Sequence, residues 1–200
     1  MVVSNNIDKN RRKFLAGATC AVGAAGVVAG SIPFIASMLP SESAIAAGGP
    51  VRVKIDKMKP GDQLTVIWRG RPIWIIRRDE KMLATLPVLE PELRDPKSII
   101  DQQPEYARNE YRSRKKDLLV LVGICTHLGC APTYRPDVGG VSADWKGGFF
   151  CSCHGSKFDF AGRVFKGVPA PINLEVPPYV FLSENEIMIG VDKPSTNLDV

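Results

Sequence analysis

Both histidines of this 200-residue chain, and four of its five cysteines, lie within thirty residues in two matched clusters. The first cluster reads Cys125-Thr-His127-Leu-Gly-Cys130, and the second reads Cys151-Ser-Cys153-His154-Gly-Ser156. Cysteine thiolates and imidazole nitrogens are typical ligands of zinc and of iron–sulfur centres. Because a hydrophobic core has no need of such pairing, the two clusters predict a metal site.

The number of candidate ligands separates the possible metals. A structural zinc site needs four ligands, whereas the two clusters offer six. A Rieske [2Fe–2S] centre places two cysteines on one iron and two histidines on the other, and the two remaining thiols can then form a disulfide. This arrangement is favoured over zinc and over a disulfide scaffold with incidental histidines. Spacing favours Cys151 over Cys153 as the partner of His154, but it leaves both Cys125 and Cys130 open as ligands.

The clusters resemble those of the Rieske iron–sulfur subunits of ubiquinol–cytochrome c reductase. The resemblance covers nearly the whole chain, from the N-terminal segment to Val176-Pro177-Pro178-Tyr179. It implies that one [2Fe–2S] cluster is held by Cys125, His127, Cys151 and His154, and that Cys130 and Cys153 form a disulfide. It also implies a mainly β fold, with a head of stacked antiparallel sheets, a cluster-binding subdomain at about 118–171, and one N-terminal transmembrane helix.

The same resemblance assigns roles to residues around the cluster. His154 is expected to contact the quinol together with Leu128, for which the alternative is a residue that merely caps the loop. Gly129 and Gly155 are expected to let the backbone approach the cluster and direct N–H groups at sulfur. The resemblance also places the hydroxyl of Ser156 on a bridging sulfide. It assigns Gly167, Pro169 and Pro171 to a loop that covers the cluster.

Two positions depart from the family pattern. Phe158 stands where high-potential members carry a tyrosine whose hydroxyl bonds a ligand sulfur, and Ser152 stands where proline is usual. Hydrogen bonds to the sulfurs tune the potential of such centres. The missing hydroxyl therefore predicts a reduction potential that is lower by some tens of millivolts, whereas Ser152 affects the stiffness of its loop.

The N-terminal segment predicts export and membrane anchoring. Asn10-Arg11-Arg12-Lys13-Phe14-Leu15 resembles a twin-arginine signal, and we assign residues 1–13 to the cytoplasm. Residues 14–41 contain no charged side chain. Because about 20 apolar residues suffice to cross a bilayer, we predict that residues 14–40 form a transmembrane anchor. Basic residues before the span place the head in the periplasm of a bacterium, at the inner membrane. Cleavage after the small-residue sequence at 44–46 is the alternative.

The rest of the chain divides into a linker and a head. Residues 41–50 are predicted to be a flexible hinge, with an inert tether as the alternative, and residues 51–200 form the head. Within the head we predict a hairpin of strands 64–68 and 72–77, a buried strand at 118–124, a strand at 148–150, and a last hairpin of strands 179–182 and 186–190. Residues 90–116 are predicted to hold a short helix and loops.

Charge and motif together define the expected function. The net charge is +5, of which +3 lies in the first thirteen residues, so that nucleic-acid binding is not expected. The resemblance implies an electron-transfer subunit that takes one electron from ubiquinol and passes it to a membrane-bound c-type cytochrome, with proton release into the periplasm. Its implied partners are cytochrome b and the c-type cytochrome in a dimeric complex. The alternatives are the Rieske subunit of another exported enzyme such as arsenite oxidase, a Rieske ferredoxin or oxygenase component, and a zinc-binding module.

Overall fold

One long helix, α1 (Lys9–Ser37), occupies the N-terminal unit of the computed structural model, which describes residues 8–41, 44 and 48–193. The side chain of Asp8 caps the helix, since it accepts hydrogen bonds from the N–H groups of Asn10 and Arg11. None of the helix residues is buried. At 1.5 Å per residue it is about 44 Å long, which exceeds the ~30 Å of a bilayer core. Among the described residues it is the one helix that is long and apolar enough to cross a membrane.

The second unit, Ala47–Val200, is built from antiparallel strands. In chain order the strands are β1 (Val51–Lys54), β2 (Gln63–Trp68), β3 (Arg71–Arg77), β4 (Leu118–Val122), β5 (Thr133–Arg135), β6 (Gly148–Cys151), β7 (Ser156–Phe158), β8 (Tyr179–Ser183) and β9 (Glu186–Ile189). They form three three-stranded sheets with the orders β1-β9-β8, β2-β3-β4 and β5-β6-β7. The predicted mainly β fold with one N-terminal helix is confirmed.

The strands predicted in the sequence are present with small shifts of their ends. β2 and β3 pair in register from Gln63↔Ile76 to Trp68↔Arg71, and their two-residue turn has positive φ at Arg69 (50°) and Gly70 (70°). This turn suits the right-handed twist of a hairpin. The predicted strand at 118–124 corresponds to β4, which is buried along its whole length and ends at Val122.

Residues 90–116, predicted to hold a short helix and loops, contain only short 3₁₀ helices between loops. In that range the structure has two short 3₁₀ turns, Glu90–Glu92 and Glu105–Ala107, whereas helix α2 lies earlier, at Glu80–Leu89. Asp79 caps α2 by accepting a hydrogen bond from the N–H of Met82. The buried residues Met82, Leu86 and Leu89 recur at helical spacing, which fixes the helix by packing although Pro87 lies within it.

One hydrophobic core joins the three sheets and reaches the cysteines. It includes Ile189 from the first sheet, Trp74 from the second and Phe149 from the third. The rings of Trp74 and Phe149 stack with centroids 5.2 Å apart. Gly123 lies directly against the Trp74 ring, where a Cβ atom would clash. The chain can therefore leave β4 and pass over Trp74 toward the first cysteine cluster only with glycine at that position.

A fully buried ion pair lies in the turn after β7. Arg163 Nη2 is 2.7 Å from Asp159 Oδ2, and both side chains are inaccessible to solvent. Asp159 Oδ1 also accepts hydrogen bonds from the N–H groups of Ala161 and Arg163. The charges are thus satisfied locally, which is the condition under which a buried pair is tolerated.

Two further buried arginines hold the same turn through its carbonyl groups. Arg78 donates to the carbonyl of Phe160 at 3.1 Å, and Arg112 donates to those of Ala161 and Gly162 at 3.2 and 3.3 Å. Burial lowers the pKa of Arg78 and of Arg112 to about 10, so both remain charged near neutral pH. The turn that leads from β7 to the covering loop is therefore fixed by three cations.

The buried pair gives a prediction about stability. Asp159→Ala removes the buried carboxylate that balances the charge of Arg163, and we expect it to lower the free energy of unfolding by about 3–5 kcal/mol. Chemical denaturation of the purified chain, followed by tryptophan fluorescence, measures this change. Glu90→Ala is the control, because Glu90 is partly exposed and 4.0 Å from Arg163, and should cost no more than about 1 kcal/mol. Equal losses in the two variants would contradict the argument.

Candidate metal centre

The two cysteine clusters lie in loops of the same shape. The first loop follows β4, and the second connects β6 to β7. In the first, the N–H of Gly129 donates to the carbonyl of Cys125 at 3.0 Å; in the second, the N–H of Gly155 donates to that of Cys151 at 2.8 Å. The two glycines have φ of 82° and 80°, which is the left-handed region that favours glycine. Each loop is therefore one i→i+4 turn closed by a left-handed glycine.

The role expected for these glycine N–H groups needs correction. The sequence interpretation directed them at sulfur, whereas both are hydrogen-bonded to backbone carbonyl groups. The N–H of His127 instead donates to the sulfur of Cys125. Gly129 and Gly155 thus close the loops, and their contribution is backbone conformation.

The loops bring the candidate ligands together. The rings of His127 and His154 meet edge to face, with centroids 4.7 Å apart and planes at 87°. Cys125 and Cys151 are buried free thiols, 2% and 1% exposed, and they interact with each other. The sulfur of Cys151 also lies within 4.8 Å of those of Cys130 and Cys153. All six residues singled out in the sequence therefore converge on one site.

A disulfide between Cys130 and Cys153 joins the two loops. This is the pairing that the family resemblance implies. It leaves Cys125 and Cys151 as the thiols available to a metal, one from each loop. The ligand set Cys125, His127, Cys151 and His154 stays a prediction, and the free thiols are those it requires.

The chemistry of the donor atoms fits an iron–sulfur group. Nδ1 of His127 is buried and, among the described residues, has no hydrogen-bond partner, which leaves this nitrogen available to a metal. Burial raises the pKa of the Cys125 thiol, while hydrogen bonds from the N–H of His127 and the Ser156 hydroxyl lower it. A bound cation reverses the effect of burial, because a coordinating thiol loses its proton. Two thiols and two imidazoles are also the donor set of a Rieske centre.

A proline-containing segment lies against both loops. The N–H of Ala170 donates to Ser156 Oγ at 3.0 Å, and the hydroxyl of Thr126 donates to the carbonyl of Ile172 at 2.7 Å. The predicted covering residues Gly167, Pro169 and Pro171 are exposed on this segment, and Gly167 has a φ of 72°. One hydroxyl from each loop therefore fixes the segment.

Two residues of this arrangement were missed in the sequence. Thr126 lies between two candidate ligands, and nothing in the sequence distinguishes it from a residue that only separates them. Asn173 is fully buried; its Oδ1 accepts from the N–H of Val164 at 2.9 Å, and its amide nitrogen donates to the carbonyl of Asp95 at 3.0 Å. Asn173 closes the base of the covering segment, and because its partner Asp95 lies 78 residues away, no local signal reveals it.

The remaining predicted residues differ in exposure. Leu128 is 72% exposed at the tip of the first loop, and His154 is exposed on the second, whereas His127 is half-buried. Ser156 and Phe158 are fully buried on β7. Solvent therefore reaches the site at His154 and Leu128.

Comparison with known proteins agrees with this site. The family model described as "Rieske [2Fe-2S] domain" matches residues 98–178, and the model described as "Ubiquitinol-cytochrome C reductase Fe-S subunit TAT signal" matches residues 3–41. The fold and the site thus define a Rieske iron–sulfur protein, whose cofactor is a [2Fe–2S] cluster.

Similarity over the whole length defines the family further. The chain is 52% identical over 194 residues to the ubiquinol–cytochrome c reductase iron–sulfur subunit of Allochromatium vinosum, covering 96% of this chain and 94% of that protein. It is 45% identical over 190 residues to the same subunit of Blastochloris viridis, covering 95% and 98%. The mitochondrial subunit Rieske-1 of the Nicotiana tabacum cytochrome b-c1 complex is 41% identical over 160 residues, covering 80% and 55%. The chain belongs to the family of ubiquinol–cytochrome c reductase iron–sulfur subunits.

Phe158 gives a prediction about the reduction potential. Phe158→Tyr introduces a hydroxyl where high-potential relatives are expected to have one, and we expect the potential to rise by on the order of tens of millivolts. Phe160→Tyr is a matched control, because Phe160 is also buried but packs in a separate cluster with Met82 and Leu86. Redox titration of the electron paramagnetic resonance (EPR) signal measures both. A potential that is the same in Phe158→Tyr as in the parent would overturn this account.

The disulfide gives a prediction about loop stability. Cys130 and Cys153 are 23 residues apart, and a loop of this length closed by a disulfide is stabilised by about 3 kcal/mol. We expect the Cys130→Ala/Cys153→Ala double variant to melt at a lower temperature and to retain less iron per chain. Cys20→Ala is the control, since Cys20 is an exposed free cysteine on α1. Parent-like iron content in the double variant would mean that the loops hold the cluster without this bond.

Proposed function

We propose that the chain carries single electrons from ubiquinol to a membrane-bound c-type cytochrome, coupled to proton release into the periplasm. The observation that carries this proposal is the exposed imidazole of His154, next to a half-buried His127 whose Nδ1 is available to a metal. One imidazole can thereby meet a partner at the surface of the head. The names of the relatives supply the substrate class.

The chain's own residues position and protect this reaction. When bound, the [2Fe–2S] group supplies a one-electron acceptor in the Rieske range of roughly −150 to +300 mV, because imidazoles replace two thiolates. His154 accepts a hydrogen bond and then a proton from the quinol hydroxyl at a nitrogen of its exposed ring. Leu128 packs on the apolar quinol, while the segment around Pro169 excludes water from the buried thiols. The same exposed edge of the head later faces the c-type cytochrome.

The N-terminal unit supports a membrane-anchored arrangement. Lys9, Arg11, Arg12 and Lys13 precede the apolar part of α1, which by the positive-inside rule places the N-terminus in the cytoplasm and the head in the periplasm. We therefore propose a single-pass protein of the bacterial inner membrane, with a cytoplasmic signal segment at 1–13 and an anchor at 14–40. The head would begin at residue 51 and carry its cluster-binding subdomain at about 118–171.

Movement of the head is part of the proposal. Cytochrome b and the c-type cytochrome, together with most of the quinol pocket, belong to other chains of a dimeric complex. One head can serve two partners only if its linker, residues 41–50, allows it to move between them. The Gly- and Ala-containing composition of this linker suits a flexible coil of about 17 Å mean span. Similarity to a quinol-oxidising family along both anchor and head favours this function over that of an arsenite oxidase subunit.

EPR spectroscopy tests the quinol contact. Dithionite-reduced membranes should give a Rieske signal whose shape changes when a quinol-site inhibitor binds, because the inhibitor takes the place of quinol against His154. We expect Leu128→Glu to weaken this response at least tenfold, since it puts a carboxylate into the apolar contact. Val138→Glu is the control, because Val138 is 74% exposed, as much as Leu128, but lies on the β5–β6 loop. A Rieske signal whose shape does not change when the inhibitor is added would mean that the electron donor does not bind at His154.

A further inference from the structure

The interior of the head contains more buried cations than buried anions. Among the described residues, the buried charged side chains are three arginines and two aspartates: Arg78, Arg112, Arg163, Asp95 and Asp159. Arg163 pairs with Asp159, and the carboxylate of Asp95 accepts hydrogen bonds from the N–H groups of Ile99 and Ile100. The described interior therefore carries a net positive charge, although an arginine is almost never fully buried unless it is paired.

Arg112 is the most unusual of these cations. It is inaccessible to solvent, and its described hydrogen-bond acceptors are all neutral: the carbonyl groups of Ala161 and Gly162 and Oε1 of Gln103. Its φ is 50°, a conformation that is unfavourable for a residue other than glycine and that concentrates at functional positions. A fully buried charge without a carboxylate partner, on a strained backbone, points to a role beyond packing.

The guanidinium of Arg112 lies beside the strand that leads to the first cysteine loop. A Cβ atom on Gly162 would lie 3.3 Å from Arg112 Nη1 and 2.9 Å from Leu121 Cδ1, so the two side chains meet at this glycine. Leu121 lies on the buried strand β4, four residues before Cys125, and four residues span at most about 14 Å. With the lengths of the side chains added, the positive charge is within about 25 Å of the Cys125 sulfur.

Arg78 approaches the same site along β7. Its Nη1 donates to the carbonyl of Phe160 at 3.1 Å, and its Nη2 donates to the hydroxyl of Ser113 at 2.8 Å. Phe160 lies four residues after Ser156, whose hydroxyl is hydrogen-bonded to the sulfur of Cys125. Each of the two arginines is therefore connected to a candidate ligand by a short run of residues.

Reduction of the site changes its interaction with these cations. One-electron reduction adds one negative charge to an iron–sulfur group without forming or breaking a bond, and net charge is one of the factors that set its potential. Buried charges are screened much less by salt than exposed ones. At an effective dielectric constant of about 20, a unit charge about 12–25 Å away changes the ratio of reduced to oxidised protein by about threefold to tenfold.

We propose that Arg112, assisted by Arg78, raises the reduction potential of the cluster by stabilising the charge of its reduced form across the interior of the head. The electron comes from quinol in the proposed function and from dithionite in the test below. The neutral acceptors then have a reason, because a carboxylate partner would cancel the effect of the cation. This inference rests on the proposed ligand set between the two loops, and it holds whatever the electron donor is.

Redox titration of the EPR signal in membranes that contain the full chain tests the effect of this charge. Arg112→Gln removes the charge but keeps a side chain that can donate to the same carbonyl groups. We expect the ratio of reduced to oxidised protein at a fixed potential to fall about threefold to tenfold, which is about 30–60 mV at about 59 mV per tenfold. The difference should persist at about 1 M salt, because the charge is buried.

Two variants separate charge from packing. Arg112→Lys keeps the charge on the same backbone conformation and should keep the potential of the parent. Gln103→Met removes one acceptor of the guanidinium but no charge, so that it should lower the melting temperature and leave the potential unchanged. A parent-like potential in Arg112→Gln would overturn the inference. A fall of equal size in Arg112→Lys or Gln103→Met would also overturn it, because packing would then control the potential.

A second arginine keeps the test decisive where Arg112→Gln retains too little iron for an EPR signal. Arg78→Gln should lower the potential within the same range, and a parent-like value in that variant would refute the charge effect. The inhibitor response of the same membranes reports the quinol contact separately, because it depends on His154. A lowered potential with a signal that does not respond to the inhibitor would support the role of the arginines and reject the proposed quinol function.

Discussion

The bond between Cys130 and Cys153 is the contact on which the metal centre depends. The site consists of two loops from different sheets, and no described helix supports either of them. Loops without such support gain their order from contacts at their own ends and tips. The disulfide joins the two loops, and hydrogen bonds from Thr126 and to Ser156 join both loops to the covering segment. Two buried free thiols can therefore stay together before any metal binds.

Charged side chains give the covering segment a rigid base. The turn at 159–163 is held by the Asp159–Arg163 pair and by two arginines that donate to its carbonyl groups. Burying three guanidinium groups is costly unless each is hydrogen-bonded. Carbonyl acceptors are well suited to this, because they satisfy a cation without adding a second charge. The position of the covering segment is thus set by polar contacts as much as by apolar packing.

Local patterns in the sequence were enough to predict the strands and the metal centre. They did not reveal contacts between residues that are distant in the chain. The two clusters and the Arg69-Gly70 turn are short patterns with a direct chemical meaning. Helix α2 was missed because its three buried residues are interrupted by Pro87. Thr126 and Asn173 could not be recognised, since their partners lie 46 or more residues away or are backbone groups. The glycine N–H groups were assigned to sulfur because sequence does not specify the direction of a turn.

The difference between the two histidines follows from unequal spacing on equal turns. Both loops run from a predicted ligand cysteine to a left-handed glycine four residues later. His127 lies two residues after its cysteine, whereas His154 lies three residues after its own, because Cys153 occupies the intervening position. The disulfide therefore joins opposite ends of the two turns. In the first loop its cysteine, Cys130, follows the glycine, and in the second loop its cysteine, Cys153, precedes the histidine. Two similar loops thus present one half-buried and one exposed imidazole, which is the asymmetry that a site with a single entrance requires.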